Sequence, residues 1–104
     1  MILIDPPLVP WRGKLWSHLV SDTSYEELHA FAATMGIPER AFQRDHYDVP
    51  QDYYEAIIAA GAVSVAPREI VRRLHEAGLR QRKAPAHKPI RLDEISSPPT
   101  PASD

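Results

Sequence analysis

The spacing of apolar and polar positions changes along the chain, and each change marks an element. Ile2-Leu3-Ile4 is a continuous apolar run halted by Asp5-Pro6-Pro7, the pattern of a short buried strand over Met1 to Asp5, since proline cannot continue a ladder. A long connection follows from Pro6 to Ser21, with Leu15 to Val20 as a short element concealed in it. Thr23 and Ser24 each precede a glutamate by three residues (Glu26 and Glu27), the capping-box spacing. Leu28, Phe31, Ala32 and Met35 then recur at helical spacing, Gly36 suits a left-handed closing residue, and Pro38 prevents resumption. Asp45 to Val49 reads as a second strand. Pro50 suits the first turn of a second helix with Tyr54, Ile57 and Ile58 inward, which Gly61 stops. Ala62 to Ala66 is a third strand. Pro67 opens a third helix with Ile70, Val71, Leu74 and Ala77 on its inner side, closed by Gly78.

Strand and helix thus alternate three times, which predicts a small α/β domain of βαβαβα order, three-layer-like, with a short parallel sheet. Its two open edges leave room for a fourth strand or for a second copy of the chain, through the sheet edge or the tail. The domain spans residues 1–80. From Arg80 onward the sequence turns polar, charged and proline-rich, so residues 81–104 read as a disordered tail that buries too little apolar surface to offset ordering. Ile90 to Ile95 carries the tail's main apolar residues, and two readings stay open for it: solvated chain, or a strand added to a sheet edge.

Composition narrows the function classes. A length of 104 residues, 43% hydrophobic and 25% charged, suits one globular domain, and a formal charge of −2 advertises neither nucleic acid nor an anionic membrane. The absence of cysteine removes disulfides, thiolate metal sites and a cysteine nucleophile, and fits a cytoplasmic protein. The first apolar run is far too short for a signal peptide or a membrane span. No glycine-rich loop follows any strand, which disfavours a Rossmann or P-loop nucleotide cradle. Arg68, Arg72, Arg73, Arg80, Arg82 and Lys83 form a basic run that is a solvated face more readily than a phosphate-binding one.

The remaining chemistry is carboxylate and imidazole. In a parallel sheet, Asp5 ends the first strand, His18 and Asp22 lie in the connection that leaves it, and Asp48 closes the second strand, so they gather at one sheet edge. Carboxylate oxygen and neutral imidazole nitrogen together suit a divalent ion (Zn, Mn, Mg or Fe). Asp5 is the hardest to explain otherwise, because a carboxylate ending a buried strand is costly without a partner. In Asp45-His46-Tyr47-Asp48, His46 and Asp48 share one face of an extended segment and Asp45 and Tyr47 the other. Glu26 and His29 stand three apart on the first helix, a weak metal pattern. Asp22 and Asp48 also have a plain alternative reading, as favourable charges at helix N-termini. Trp11 and Trp16 read as covers for the sheet edge before they read as stacking platforms.

Three segments, Trp16-Ser17-His18-Leu19-Val20-Ser21-Asp22-Thr23-Ser24, Glu27-Leu28-His29-Ala30-Phe31-Ala32 and Asp45-His46-Tyr47-Asp48-Val49-Pro50, resemble the signature segments of the small bacterial and phage family catalogued as DUF4031. The resemblance covers roughly Met1 to Arg80 and implies a compact cytoplasmic domain; it implies no reaction. A strand-ending aspartate near a carboxylate cluster on a small parallel sheet is also similar, at the level of fold alone, to PIN-like nucleases, although their later acidic motif is missing. The leading expectation is a metal-dependent hydrolase acting on a phosphoester, including nucleic acid. In it Asp5, His18 and Asp48 hold the ion, and His46 or Asp22 supplies a further ligand or a base for water. The rival is a non-catalytic module that docks a protein or nucleic acid, in which the His/Asp cluster is a structural brace.

Overall fold

The computed structural model describes residues 1–81, and the tail readings, including Ile90 to Ile95, Arg82 and Lys83, lie outside the described residues. Six strands and three helices occur in the order β1 (Ile2–Ile4), β2 (Val9–Trp11), β3 (Lys14–Ser21), α1 (Tyr25–Thr34), β4 (Phe42–Gln43), β5 (His46–Pro50), α2 (Tyr54–Ala59), β6 (Val63–Ser64) and α3 (Pro67–Glu76). The α/β class holds. The parallel sheet does not: the strands lie in the order β4-β5-β3-β1-β6 with β2 beside β3, and only β1 and β6 run parallel.

The reversal originates in two tight turns. Trp11 pairs with Lys14 across Arg12-Gly13, whose φ values of 51° and 76° are both left-handed, as a type I′ hairpin turn requires. The stretch from Pro6 to Ser21 is therefore mostly a hairpin, and its second strand returns antiparallel beside β1. Gln43 pairs with His46 across Arg44-Asp45, with Arg44 at φ 55°, so β5 also arrives from a hairpin and lies antiparallel to β3. With the sheet antiparallel here, the fold-level likeness to PIN-like nucleases loses its basis. Pro50 ends β5, paired with Trp16, and does not open a helix; a proline without an N–H is tolerated at a strand end, and a short 3-10 turn over Gln51–Tyr53 precedes α2.

Helix ends follow the chemistry read from the sequence. Ser24 caps α1, its Oγ accepting the Glu27 N–H at 3.0 Å, and Gly36 takes φ 76° beyond the last turn. Pro67 begins α3. α3 faces the sheet by a narrower stripe than expected: Ile70 and Leu74 are buried, while Val71 and Ala77 are exposed.

The helices lie on both faces of the sheet, giving three layers. Ile2, Ile4, Leu19, Tyr47 and Val49 point to one face and pack with Leu28 and Ala32 of α1 and Ile57 of α2. Leu3 and Val20 point to the other and pack with Ile70 and Leu74 of α3. That second core is small. Leu74→Ala is expected to cost about 2–5 kcal/mol of unfolding free energy in urea, and a cost near zero would contradict the docking of α3 on this face. Short edge strands, two residues each in β4 and β6, limit the exposed ladder. Among the described residues no helix is long and apolar enough to cross a membrane.

Candidate metal centre

The site belongs to the α3 face. Alternate residues of β3 (Trp16, His18 and Val20) point to it, followed by Asp22 just past the strand, and α3 covers only the far end of the row, above Val20 and Asp22. His18 therefore stands just beyond the helix. Its register partner on β5 is Asp48, and Asp5 stands next to it on the β1 side, its N–H donating to the His18 carbonyl at 3.3 Å. Asp5, His18 and Asp48 thus form one row across three strands, and His46, two residues before Asp48, joins the same face. The antiparallel register brings them together. The convergence does not depend on the carboxyl ends of parallel strands.

Both histidines are held from behind by buried aspartates. Asp5, 2% exposed, accepts the His18 backbone N–H at 2.6 Å through Oδ1 and meets His18 Nδ1 at 2.7 Å through Oδ2. Asp45, 1% exposed, meets His46 Nδ1 at 2.8 Å through Oδ1. A carboxylate accepts only, so each Nδ1 carries the proton and each Nε2 is turned to the common space. One donor atom each from His18, His46 and Asp48 lie within 4.8 Å of one another. The two imidazole rings stand edge to face, 5.1 Å between centroids.

Within this group two buried atoms are left without a hydrogen-bond partner, His46 Nε2 and Asp48 Oδ2. His46 Nε2 lies 3.1 Å from Asp48 Oδ1, near enough for charge attraction but misaligned for a hydrogen bond. Such orphaned atoms are rare in native interiors. Two imidazole nitrogens and one carboxylate oxygen on one side match the donor set of open zinc and iron centres, in which further positions remain for water and substrate. The carboxylate behind each imidazole matches the outer support that metal-binding histidines ordinarily have.

The carboxylates of Asp45 and Asp48 draw positive charge to His46, and a proton on the ring already answers them. Burial works against charge on His46, but its bond with Asp45 and the negative charge of Asp45 and Asp48 close to the ring prevail and raise its pKa to about 9. Burial alone would raise the Asp45 carboxyl; the bonds from His46 and the Gln81 N–H, with the nearby Arg80 charge, outweigh it and hold the pKa below its usual value. The Gln81 N–H donates to Asp45 Oδ2 at 2.8 Å and Arg80 Nη1 stands 3.5 Å from the same oxygen. The segment leaving α3 is thereby fastened to the residue that supports His46. Tyr25 fastens it too, its hydroxyl donating to the Leu79 carbonyl.

Of the other residues singled out from the sequence, Asp5 joins the row and the rest lie elsewhere. Asp22 is four residues from His18, past the end of β3, and pairs with Arg73 of α3 at 2.8 Å, an ion pair that ties strand to helix. Asp5 is in the row, with both oxygens engaged by His18. His29 bonds the Tyr47 hydroxyl at 2.6 Å on the opposite face, and Glu26 is exposed. The basic run on α3 is internally compensated, Arg72 and Arg73 bridging to Glu69, and Arg72 to Glu76. The sequence placed Asp45 on the face opposite His46; it stands instead in the two-residue turn before β5 and bonds His46 Nδ1.

No curated protein and no solved structure matches the chain. A protein-family description does, across residues 2–77, which include every residue of the His18, His46 and Asp48 group. The chain belongs to the family described as proteins of unknown function, DUF4031.

Proposed function

We propose that the protein is a divalent-metal-dependent hydrolase acting on a phosphoester, with His18, His46 and Asp48 holding the ion. The observation that carries this reading is the pair of aspartate-backed imidazoles, Asp5–His18 at 2.7 Å and Asp45–His46 at 2.8 Å, converging on a buried carboxylate oxygen that has no partner. Bound there, an ion would polarise a phosphoryl oxygen and lower the pKa of water. Asp5 and Asp45 act as positioning residues: each fixes one imidazole tautomer and orientation and raises its basicity. Asp48 supplies the anionic charge that favours a dication over a neutral occupant. Asp22, engaged with Arg73, takes no part in the chemistry.

A specific observation also favours the second reading, a non-catalytic module with a structural brace. Protonated His46, flanked by Asp45 and Asp48, is itself a cation in the right place. The two readings separate on activity. Metal-loaded protein is expected to cleave 4-nitrophenyl phosphomonoesters or diesters, releasing nitrophenolate, and Asp48→Asn is expected to be inactive. Metal-loaded protein that leaves both ester classes intact would end the hydrolase reading.

The attachment of the exit segment has its own consequence. Gln81→Pro removes the N–H that donates to Asp45 and leaves every donor atom of the centre in place. It is expected to weaken ion binding about 3- to 10-fold, below the 10- to 100-fold loss typical when a supporting side chain itself is changed. Calorimetric titration with zinc measures it, and unchanged affinity would show that the segment beyond α3 does not support the centre.

A further inference from the structure

The two tryptophans of the chain stand outside both cores. Neither Trp11 nor Trp16 packs into the cluster under α1 and α2 or the cluster under α3. Trp16 precedes His18 by two residues on β3 and shares its face; its partner Pro50 follows Asp48 by two on β5. Along a strand this offset is about 7 Å, roughly the reach from a phosphate to the base of one nucleotide. Trp11 lies on the same side of the adjoining hairpin. The rings meet edge to face with centroids 5.3 Å apart, and Trp16 Nε1 donates to the Trp11 carbonyl at 2.8 Å, which fixes the indole. Both rings remain partly exposed. At the tip, exposed Arg12 lies over the Trp11 ring, 4.6 Å from its centroid.

We infer that this shelf seats the base of a nucleotide phosphoester whose phosphate reaches the His18, His46 and Asp48 centre. The inference rests on the reading of that centre as a metal site and adds the substrate class. Indole faces stack on any base, and Arg12 supplies a second cation for phosphate or base. An aliphatic protein partner fits less well. The exposed leucine of this ribbon, Leu15, alternates to the opposite face, so beside the half-buried Val9 and the Lys14–Asp52 ion pair the face offers aromatic rings and a guanidinium. A free nucleotide and the end of a single strand present the same chemistry.

The indoles report their own occupancy. Tryptophan fluorescence of the full chain is titrated with adenosine 5′-monophosphate, with a thymidine pentanucleotide and with ribose 5-phosphate, for wild type, Trp16→Leu and Trp16→Phe, with zinc content measured alongside. Quenching by the mononucleotide or the pentanucleotide, and none by ribose 5-phosphate, supports the shelf; which of the two binds more tightly identifies the source. Trp16→Leu is expected to lose about 5- to 150-fold in affinity with zinc uptake unchanged, and Trp16→Phe to recover part of it. Equal binding of all three ligands, or a Trp16→Leu protein that binds nucleotide as wild type does, overturns the inference while the metal reading stands. Nucleotide binding in a protein that takes up no zinc leaves the shelf and removes the metal reading. Tryptophan quenching that follows protein concentration without ligand would assign the shelf to self-association and overturn the inference.

Discussion

His18→Ala and Asp48→Asn are each expected to abolish stoichiometric uptake of zinc or manganese, a loss of at least 100-fold, while the protein stays folded. Both side chains contribute a donor atom to the 4.8 Å group, and neither belongs to an apolar cluster. Asp48→Asn is the sharper variant, because the amide keeps the shape and one oxygen but removes the charge that selects a dication. It also leaves His46 beside a neutral group in place of an anion. Calorimetric titration gives the affinity, and circular dichroism confirms the fold. Retained micromolar uptake in both variants would place any ion elsewhere.

The second large effect is on pH. In the ion-free protein His46 has its pKa raised from 6.5 to about 9, so folded protein binds that proton more tightly than unfolded protein does. Its stabilising contribution is accordingly full below pH 6.5 and lost as pH rises through about 9, on the order of 3 kcal/mol at most. An incoming cation has to displace this proton. Zinc uptake at neutral pH is therefore expected to release about one proton per ion, and affinity to climb as pH rises from 6 toward 9. Titration calorimetry in buffers of different ionisation enthalpy counts the protons. Uptake with no proton release and no pH dependence would show that His46 is not a ligand.

The residues of the centre were more legible in the sequence than its architecture. His18 and His46 stand out as chemistry without an evident structural duty, Asp48 as a carboxylate whose plain alternative was a helix N-terminus, and Asp5 as a carboxylate that a buried strand has to satisfy. The helix signals at Ser24, Gly36 and Pro67 are local, so they survive any topology. Strand direction is not local. The first hairpin turns on Arg12-Gly13, which lacks the Asn-Gly or Asp-Gly signature. β3 is largely buried on both faces along its second half, which hides the alternation that would have marked an eight-residue strand. The expected gathering at one end of a parallel sheet was thus replaced by a row across antiparallel strands. Asp45 shows a different limit: its bond to the Gln81 N–H joins positions 36 residues apart, and no spacing rule connects a turn carboxylate to a backbone amide at that distance.

In the proposed centre Asp5 is a supporting residue and not a ligand. Its two oxygens are spent on His18, so Asp5→Asn would leave all three donor atoms in place while disturbing the orientation and basicity of one imidazole. Loss of affinity without loss of stoichiometry is the signature of such a positioning residue.

Whether this face of the sheet holds a divalent ion is read by the metal content of tag-free protein in mass spectrometry, paired with thermal unfolding in added zinc, manganese and magnesium. Near one ion per chain, or a clear rise in unfolding temperature with one of the three, is the predicted result. Protein that is empty as isolated and gains no stability from any of the three ions would contradict it, leaving a proton on His46 as the cation that holds Asp45 and Asp48 together.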